Sequence, residues 1–131
     1  MRLALLPGTW RLAHDPAGDV AALGDAWLAL VRAPEGLTAV LPAEAATPPA
    51  ERWRALHDAE AGHGLDVPGL LASVVAPLAD AGLPVFVCST FHADLVLVGA
   101  ERVGEAAAAL RAAGHALDPA ARDDRAGPAS S

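Results

Sequence analysis

The sequence predicts an α+β fold: two ferredoxin-like units with the order β-α-β-β-α-β in tandem, the first of them truncated. Three observations lead to this prediction. The hydrophobic fraction of 53% and the charged fraction of 19% indicate a packed core. A length of 131 residues allows one compact domain or two very small modules. From about residue 68 the spacing of apolar residues changes from the period of a strand to that of a helix.

The first half of the chain predicts strands with little helix. In chain order, these are extended segments at 2–6 and 9–13, a weak helical piece at 17–26, and a hairpin of strands 27–31 and 37–41. The turn signals are Pro7-Gly8 and Ala33-Pro34-Glu35-Gly36. A Pro-rich connection at 42–49 takes the place of a second helix, which makes this half resemble a truncated unit.

The second half, residues 52–117, predicts one complete unit. Its elements are a half-buried strand at 52–57, a helix from Pro68 to Ala81-Gly82, strands at 84–89 and 95–98, a helix at 101–113, and a short strand at 115–117. Asp66 is the predicted cap of the first helix, and Pro68 suits its first turn. Pro77 removes the hydrogen bond to the Ser73 carbonyl, so we expect a kink there.

These elements divide the chain into an N-terminal module at 1–60 and a C-terminal module at 61–118, to which strand 52–57 contributes. Residues 119–131 contain no apolar period and are predicted to form a disordered tail.

Charge and composition exclude several classes of function. A formal net charge of -7 with no concentration of Arg argues against nucleic-acid binding. No apolar run is long enough to span a membrane, and the apolar start is broken by Pro7-Gly8 before a signal sequence forms, so we expect a cytoplasmic protein without membrane contact. The single cysteine, Cys88, allows neither an internal disulfide nor a cysteine zinc site. We predict no cofactor and no bound metal.

Several sequence runs in the second half are more specific. They read GLLAS at 69–73, APLADAGLPVF at 76–86 and STFHADLVLV at 89–98. Together they resemble the ACT-domain proteins of the CASTOR-like group, over about residues 10–117, although the first module matches only in its hairpin at 27–41. Two positions depart from the pattern of that group: Ala93 replaces a frequent Thr, and Leu95 replaces a frequent aromatic residue.

The resemblance implies two tandem ACT modules that form a regulatory protein, not an enzyme. Its ligand would be a small molecule, typically an amino acid, bound where modules or protomers meet. The eukaryotic arginine sensors of the group carry four modules in one chain, so a homodimer of this chain would restore that number. The alternative is a ligandless ferredoxin-like domain that mediates assembly. The sequence does not identify a downstream protein partner.

The residues themselves supply chemistry for an amino-acid site. The start of the first helix, at Gly69 and Leu70, offers unpaired backbone N–H groups to a carboxylate, and Gly69 would allow close approach of a ligand. The loop after the next strand contributes hydroxyl, aromatic, imidazole and carboxylate groups. The predicted ligand-binding residues are Gly69, Leu70, Ser89, Thr90, Phe91, His92 and Asp94. Of these, Asp94 is the predicted partner of an ammonium group or a basic side chain.

Each residue also has a structural interpretation. Gly69 could only tighten the turn into the helix, Asp94 could only satisfy backbone groups, and Phe91 could belong to the core or to an interface. A hydrolase that uses Ser89, His92 and Asp94, or Cys88, is a distant alternative, since no G-x-S-x-G elbow is present. The segment 57–63 contains two His and two carboxylates, but its spacing fits a solvated linker better than a metal site.

Overall fold

A computed structural model describes residues 1–58 and 69–118 of the chain. In chain order, its strands and helices are β1 (Arg2–Leu5), β2 (Trp10–Asp15), β3 (Ala29–Ala33), β4 (Gly36–Pro42), β5 (Trp53–Asp58), α1 (Leu70–Asp80), β6 (Val85–Ser89), β7 (Asp94–Gly99), α2 (Val103–Ala112) and β8 (Ala116–Leu117). Short 3₁₀ turns occupy Val20–Leu23, Pro49–Glu51 and Ala100–Arg102. The fold is α+β, with all strands in one sheet and two α-helices among the described residues.

The second half contains the predicted order β-α-β-β-α-β, from β5 to β8. β7 lies between β5 and β6 and is antiparallel to both. This arrangement is consistent with a ferredoxin-like unit. Small differences affect the bounds: the predicted helix at 101–113 begins with a 3₁₀ turn, and its α-helical part ends at Ala112.

The first strand of the chain is inserted into this unit. β1 pairs in an antiparallel manner with β5, where Leu3 faces Asp58, and in a parallel manner with β8, where Leu3 faces Leu117. Strands from the range 1–60 and from the range 61–118 therefore share one sheet. The division into two tandem modules, the first truncated, remains a prediction.

The rest of the first half forms an antiparallel meander in the order β3-β4-β2, joined to β5 by the pair Trp10 and Trp53. The predicted hairpin turn is confirmed, since Ala33 pairs with Gly36. The first strand of that hairpin lies later than predicted, at Ala29–Ala33, and the side chain of Trp27 is exposed. Within the weak helical segment only a 3₁₀ turn forms, at Val20–Leu23.

Both faces of the central sheet are apolar. One face, with Leu56 and Val96, packs against α1 and α2 through Leu78 and Leu110. On the other face, Ala55, Leu95 and Leu97 form a cluster with Val40, and partly buried side chains of the meander pack around it. Strand β5 is therefore buried more fully than the half-buried strand that the sequence predicts. Even Arg54 is only 9% exposed, and its guanidinium donates to the Leu6 carbonyl at 3.0 Å.

Helix α1 continues through Pro77 as far as Asp80, so the proline does not interrupt it. Pro77 has no N–H, which leaves the Ser73 carbonyl without its helical donor. His115 compensates for this loss, because its Nε2 lies 2.7 Å from that carbonyl and donates to it. The predicted cap Asp66 and the predicted first-turn residue Pro68 lie outside the described residues, as does the predicted tail.

Candidate functional site

The candidate site lies at one edge of the sheet, where several chain segments end or begin. β5 ends at Asp58, β6 ends at Ser89, and β7 begins at Asp94. The cross-strand partners of Leu95 are His57 and Cys88, so these strand ends are neighbours. A helix that follows β5 and packs back on the sheet starts at this same edge, and α1 begins there at Leu70.

The connection between β6 and β7 is a tight turn closed by Thr90. The Thr90 N–H donates to the Ala93 carbonyl at 2.7 Å, and the Ala93 N–H donates to Thr90 Oγ1 at 2.9 Å. This turn brings Ser89 and Asp94 opposite each other, and Ser89 Oγ donates to Asp94 Oδ1 at 2.5 Å. The remaining carboxylate oxygen, Asp94 Oδ2, makes no hydrogen bond to any residue that the structure describes.

The tip of the turn presents two aromatic rings. Phe91 is 74% exposed, which excludes the predicted alternative of a core position. The imidazole of His92 packs edge to face against it, with ring centroids 4.7 Å apart and an interplanar angle of 85°. Both rings therefore remain available at the surface next to Asp94.

The start of α1 offers backbone donors. The first helical hydrogen bond runs from the Ser73 N–H to the Gly69 carbonyl at 3.0 Å, so the N–H groups of Leu70, Leu71 and Ala72 precede the ladder. No described side chain caps this end, and its first turn contains no acidic residue. The helix start is thus a donor-rich, partially positive group.

Gly69 has a conformational reason to be glycine. Its φ of 87° lies in the left-handed region, where a side chain is disfavoured. A Cβ at this position would meet nothing within 4 Å, so the positive φ and not a lack of space explains the glycine. Close approach of a ligand to Gly69 remains a prediction.

The structure brings together only part of the predicted site. Ser89, Thr90, Phe91, His92 and Asp94 share one turn, while Gly69 and Leu70 lie at the same sheet edge. Within the described ranges 1–58 and 69–118, no hydrogen bond joins the start of α1 to this turn. The two halves of the predicted site are therefore neighbouring groups rather than one hydrogen-bonded cluster.

Asp58 is a buried acidic residue at this sheet edge, whereas the sequence pattern assigned it to a solvated linker. It ends β5 next to the pair His57 and Leu95, and it is only 5% exposed. It also has an interaction partner in the structure. Arg54 and Leu56 are two positions apart and therefore lie on the same face of β5. One further step of two residues places Asp58 on this helix-covered face, and not in a polar linker.

The arrangement does not resemble a hydrolytic triad. The Ser89 hydroxyl donates directly to the Asp94 carboxylate, and His92 packs on Phe91 without a hydrogen bond to either group. Burial raises the pKa of the Cys88 thiol, which disfavours the thiolate that a nucleophile requires. In the described part of the chain no three His, Cys, Asp or Glu side chains form a metal-ligating group, and most of the segment 57–63 lies outside it.

Comparison with protein families independently supports the resemblance to ACT-domain proteins. Residues 50–112, from before β5 to the end of α2, match the family model of the ACT domain. The match supports an ACT-domain protein. It covers just under half of the chain, and ACT domains are generally regulatory modules that bind small molecules. Membership in the CASTOR-like group remains a prediction. No match was found among curated proteins.

Two solved structures resemble this chain over most of its length. Protein Atu0741 from Agobacterium tumefaciens is 26% identical, with a TM-score of 0.71 over 89% of this chain and 91% of that chain. Protein VC0802 from Vibrio cholerae is 26% identical, with a TM-score of 0.70 over 82% of this chain and 85% of that chain. VC0802 is described as a protein of unknown function and a possible transport protein. None of the helices described for the present chain is long and apolar enough to cross a membrane.

Proposed function

We propose that this protein is a regulatory module that binds a free amino acid beside the turn 89–94. The observation that carries the proposal is the Ser89–Asp94 pair. The Ser89 hydroxyl holds one oxygen of the Asp94 carboxylate at 2.5 Å, which restricts the orientation of the carboxylate and leaves its other oxygen for a ligand. A half-buried carboxylate held in this way is suited to bind an ammonium group, because its orientation is set before the ligand arrives.

The start of α1 supplies the complementary half of the site. An α-amino acid carries a carboxylate next to its ammonium group, and free N–H groups at a helix start bind anions. The N–H groups of Leu70 and Leu71 are suited to this role, since no acidic side chain in the first turn competes with the ligand.

The ligand is proposed to act by population shift at an interface. Phe91 is exposed next to the site, and a side chain of this size gains most when a second surface covers it. A homodimer, or a second module, would cover Phe91 and enclose the amino acid. A ligand that contacts both surfaces then favours the arrangement in which they meet.

The alternative is a ligandless assembly domain. It is favoured by the exposure of Val31, on β3, and of Trp27, which precedes this strand, because these side chains are not part of the turn 89–94. In that case the apolar surfaces mediate association with or without metabolites.

The test is thermal unfolding of the protein with each of the twenty amino acids, together with size-exclusion chromatography. A ligand at about 100 times its Kd stabilises by roughly 2.7 kcal/mol, which gives a shift of several degrees for a chain of this length. We expect one amino acid, or a small chemically related set, to stabilise the wild-type protein.

The decisive variant is Asp94→Asn, with Asp80→Asn as its matched control. Asp80 is exposed at the far end of α1. Asp80→Asn therefore removes the same negative charge as Asp94→Asn but leaves the site intact. Loss of a charged hydrogen bond is expected to weaken binding by about tenfold or more in Asp94→Asn. An unaltered response of Asp94→Asn would remove Asp94 from the site. If no amino acid changes the unfolding temperature and the oligomeric state stays the same, the result favours the assembly domain.

A further inference from the structure

A cavity of about 320 Å³ lies beside α2, away from the turn 89–94. Its floor consists of apolar side chains from the sheet, and its walls are α2 and the end of β8. The lining includes Leu5, Leu56, Val98 and Leu117. A volume of this size is at the lower end of the range for small-molecule sites, about 300–1,000 Å³.

The cavity results from the composition of one face of α2. Gly104, Ala107 and Arg111 follow each other at helical spacing and all line the cavity. A Cβ added at Gly104 would meet nothing within 4 Å, so this face leaves the space beside the sheet unfilled.

The rim of the cavity carries charge. Arg111 lines the cavity, is exposed, and forms no ion pair with any residue in the ranges 1–58 and 69–118. Asp118 also borders the cavity, but it already has an interaction partner of its own. The uncompensated charge at the rim is therefore a cation that can bind an anion through two parallel N–H donors.

We propose that this cavity binds a small monocarboxylate with an apolar chain. The chain lies against Leu56, Val98 and Leu117, and the carboxylate stays at the solvent-exposed rim on Arg111, where it keeps part of its hydration. This site shares no lining residue with the turn 89–94 and does not depend on the amino-acid site.

The experiment is a calorimetric titration of the full chain with 4-methylpentanoate, compared with the uncharged 4-methylpentanamide. Both molecules have similar shapes, so the difference between their affinities measures the contribution of the carboxylate. We expect the acid to bind at least about tenfold more tightly than the amide, since the acid forms a charged hydrogen bond with Arg111. Equal affinities, or no binding of the acid, would overturn the proposal.

Variants assign the binding to the cavity. In Arg111→Gln, the affinity for the acid is expected to fall about tenfold, to that of the amide. Arg102→Gln is the control, because Arg102 precedes the same helix but pairs with Glu105 at 2.6 Å outside the cavity. Ala107→Leu fills the cavity and should abolish binding of both molecules while the thermal transition persists. An unchanged affinity of Arg111→Gln for the acid, or acid binding that persists in Ala107→Leu, contradicts the proposal. Asp94→Asn should not affect acid binding.

Discussion

A single hydroxyl group closes the turn that presents the candidate site. Thr90 Oγ1 accepts the Ala93 N–H at 2.9 Å, and Ala93 is a buried residue. Thr90→Val has nearly the same shape but leaves this N–H without a partner, so we expect a loss of about 1–2 kcal/mol in the free energy of unfolding. Urea unfolding of the wild type and the variant measures this loss of stability. Thr90→Ser keeps the hydroxyl and serves as the control; equal midpoints for both variants would contradict the role of this hydrogen bond.

Cys88 gives the protein a pH dependence of stability in the alkaline range. Burial raises the pKa of its thiol above the ordinary value, so the unfolded chain releases this proton at lower pH than the folded protein. Stability is therefore complete below the ordinary thiol pKa, about 8.5, and is lost as the pH rises through the higher folded value.

The composition makes this effect measurable. The 9 basic residues of the Lys+Arg count are all arginine, and the chain contains no Tyr, so the thiol is the side chain expected to titrate between about pH 8 and pH 11. We expect the urea midpoint of the wild type to fall over this range and that of Cys88→Ala to fall less. Parallel pH profiles for the two proteins would show that the thiol makes no contribution.

At the same residue scale, the turn 89–94 was predictable because its hydroxyl and carboxylate groups are adjacent in sequence. The sequence left the role of Gly69 open between a turn and a ligand contact, and it did not predict the burial of Asp58. The need for glycine at Gly69 comes from a φ of 87°, and the burial of Asp58 comes from strand phase and neighbouring strands. Neither property can be derived from residue type alone.

Helix α1 depends on a side chain from outside the helix. His115 donates to the Ser73 carbonyl that Pro77 leaves without a helical partner. His115→Leu removes the donor, and we expect a loss of about 1 kcal/mol in the free energy of unfolding. The control for this prediction is Pro77→Ala, which restores an N–H to the same carbonyl.

A double-mutant cycle then separates this hydrogen bond from other effects of His115. In the Pro77→Ala background the cost of His115→Leu should be smaller, since the carbonyl has regained its helical donor. Urea unfolding of the four proteins measures the coupling free energy. The same cost in both backgrounds would mean that His115 stabilises the fold through packing and not through Ser73.

Local patterns predicted the elements better than they predicted the partners of those elements. The order from β5 to β8 follows from the change of apolar period and from the turn signals, which are properties of neighbouring residues. Pro77 predicted an unpaired carbonyl in the helix. The donor that satisfies it is separated from Ser73 by 42 positions, a relation that periodicity does not contain.

For the whole molecule, the position of β1 is the feature that the sequence did not predict. Arg2–Leu5 has the length and apolar content of any short strand, but its place between β5 and β8 results from long-range pairing. Once inserted, Leu3 and Leu5 join the core beneath the helices. The first strand of the chain thus stabilises the segment that matches the ACT-domain model.

This sheet order predicts that the C-terminal unit does not fold alone. In a fragment of residues 50–118, β8 loses β1, its only pairing partner among the described strands, and Val40 no longer covers Ala55, Leu95 and Leu97. We expect the fragment to lack a cooperative urea transition, whereas residues 1–118 retain one. Circular dichroism measures both. A cooperative transition in the fragment would instead support two independent modules, because a domain that folds alone must contain its own core.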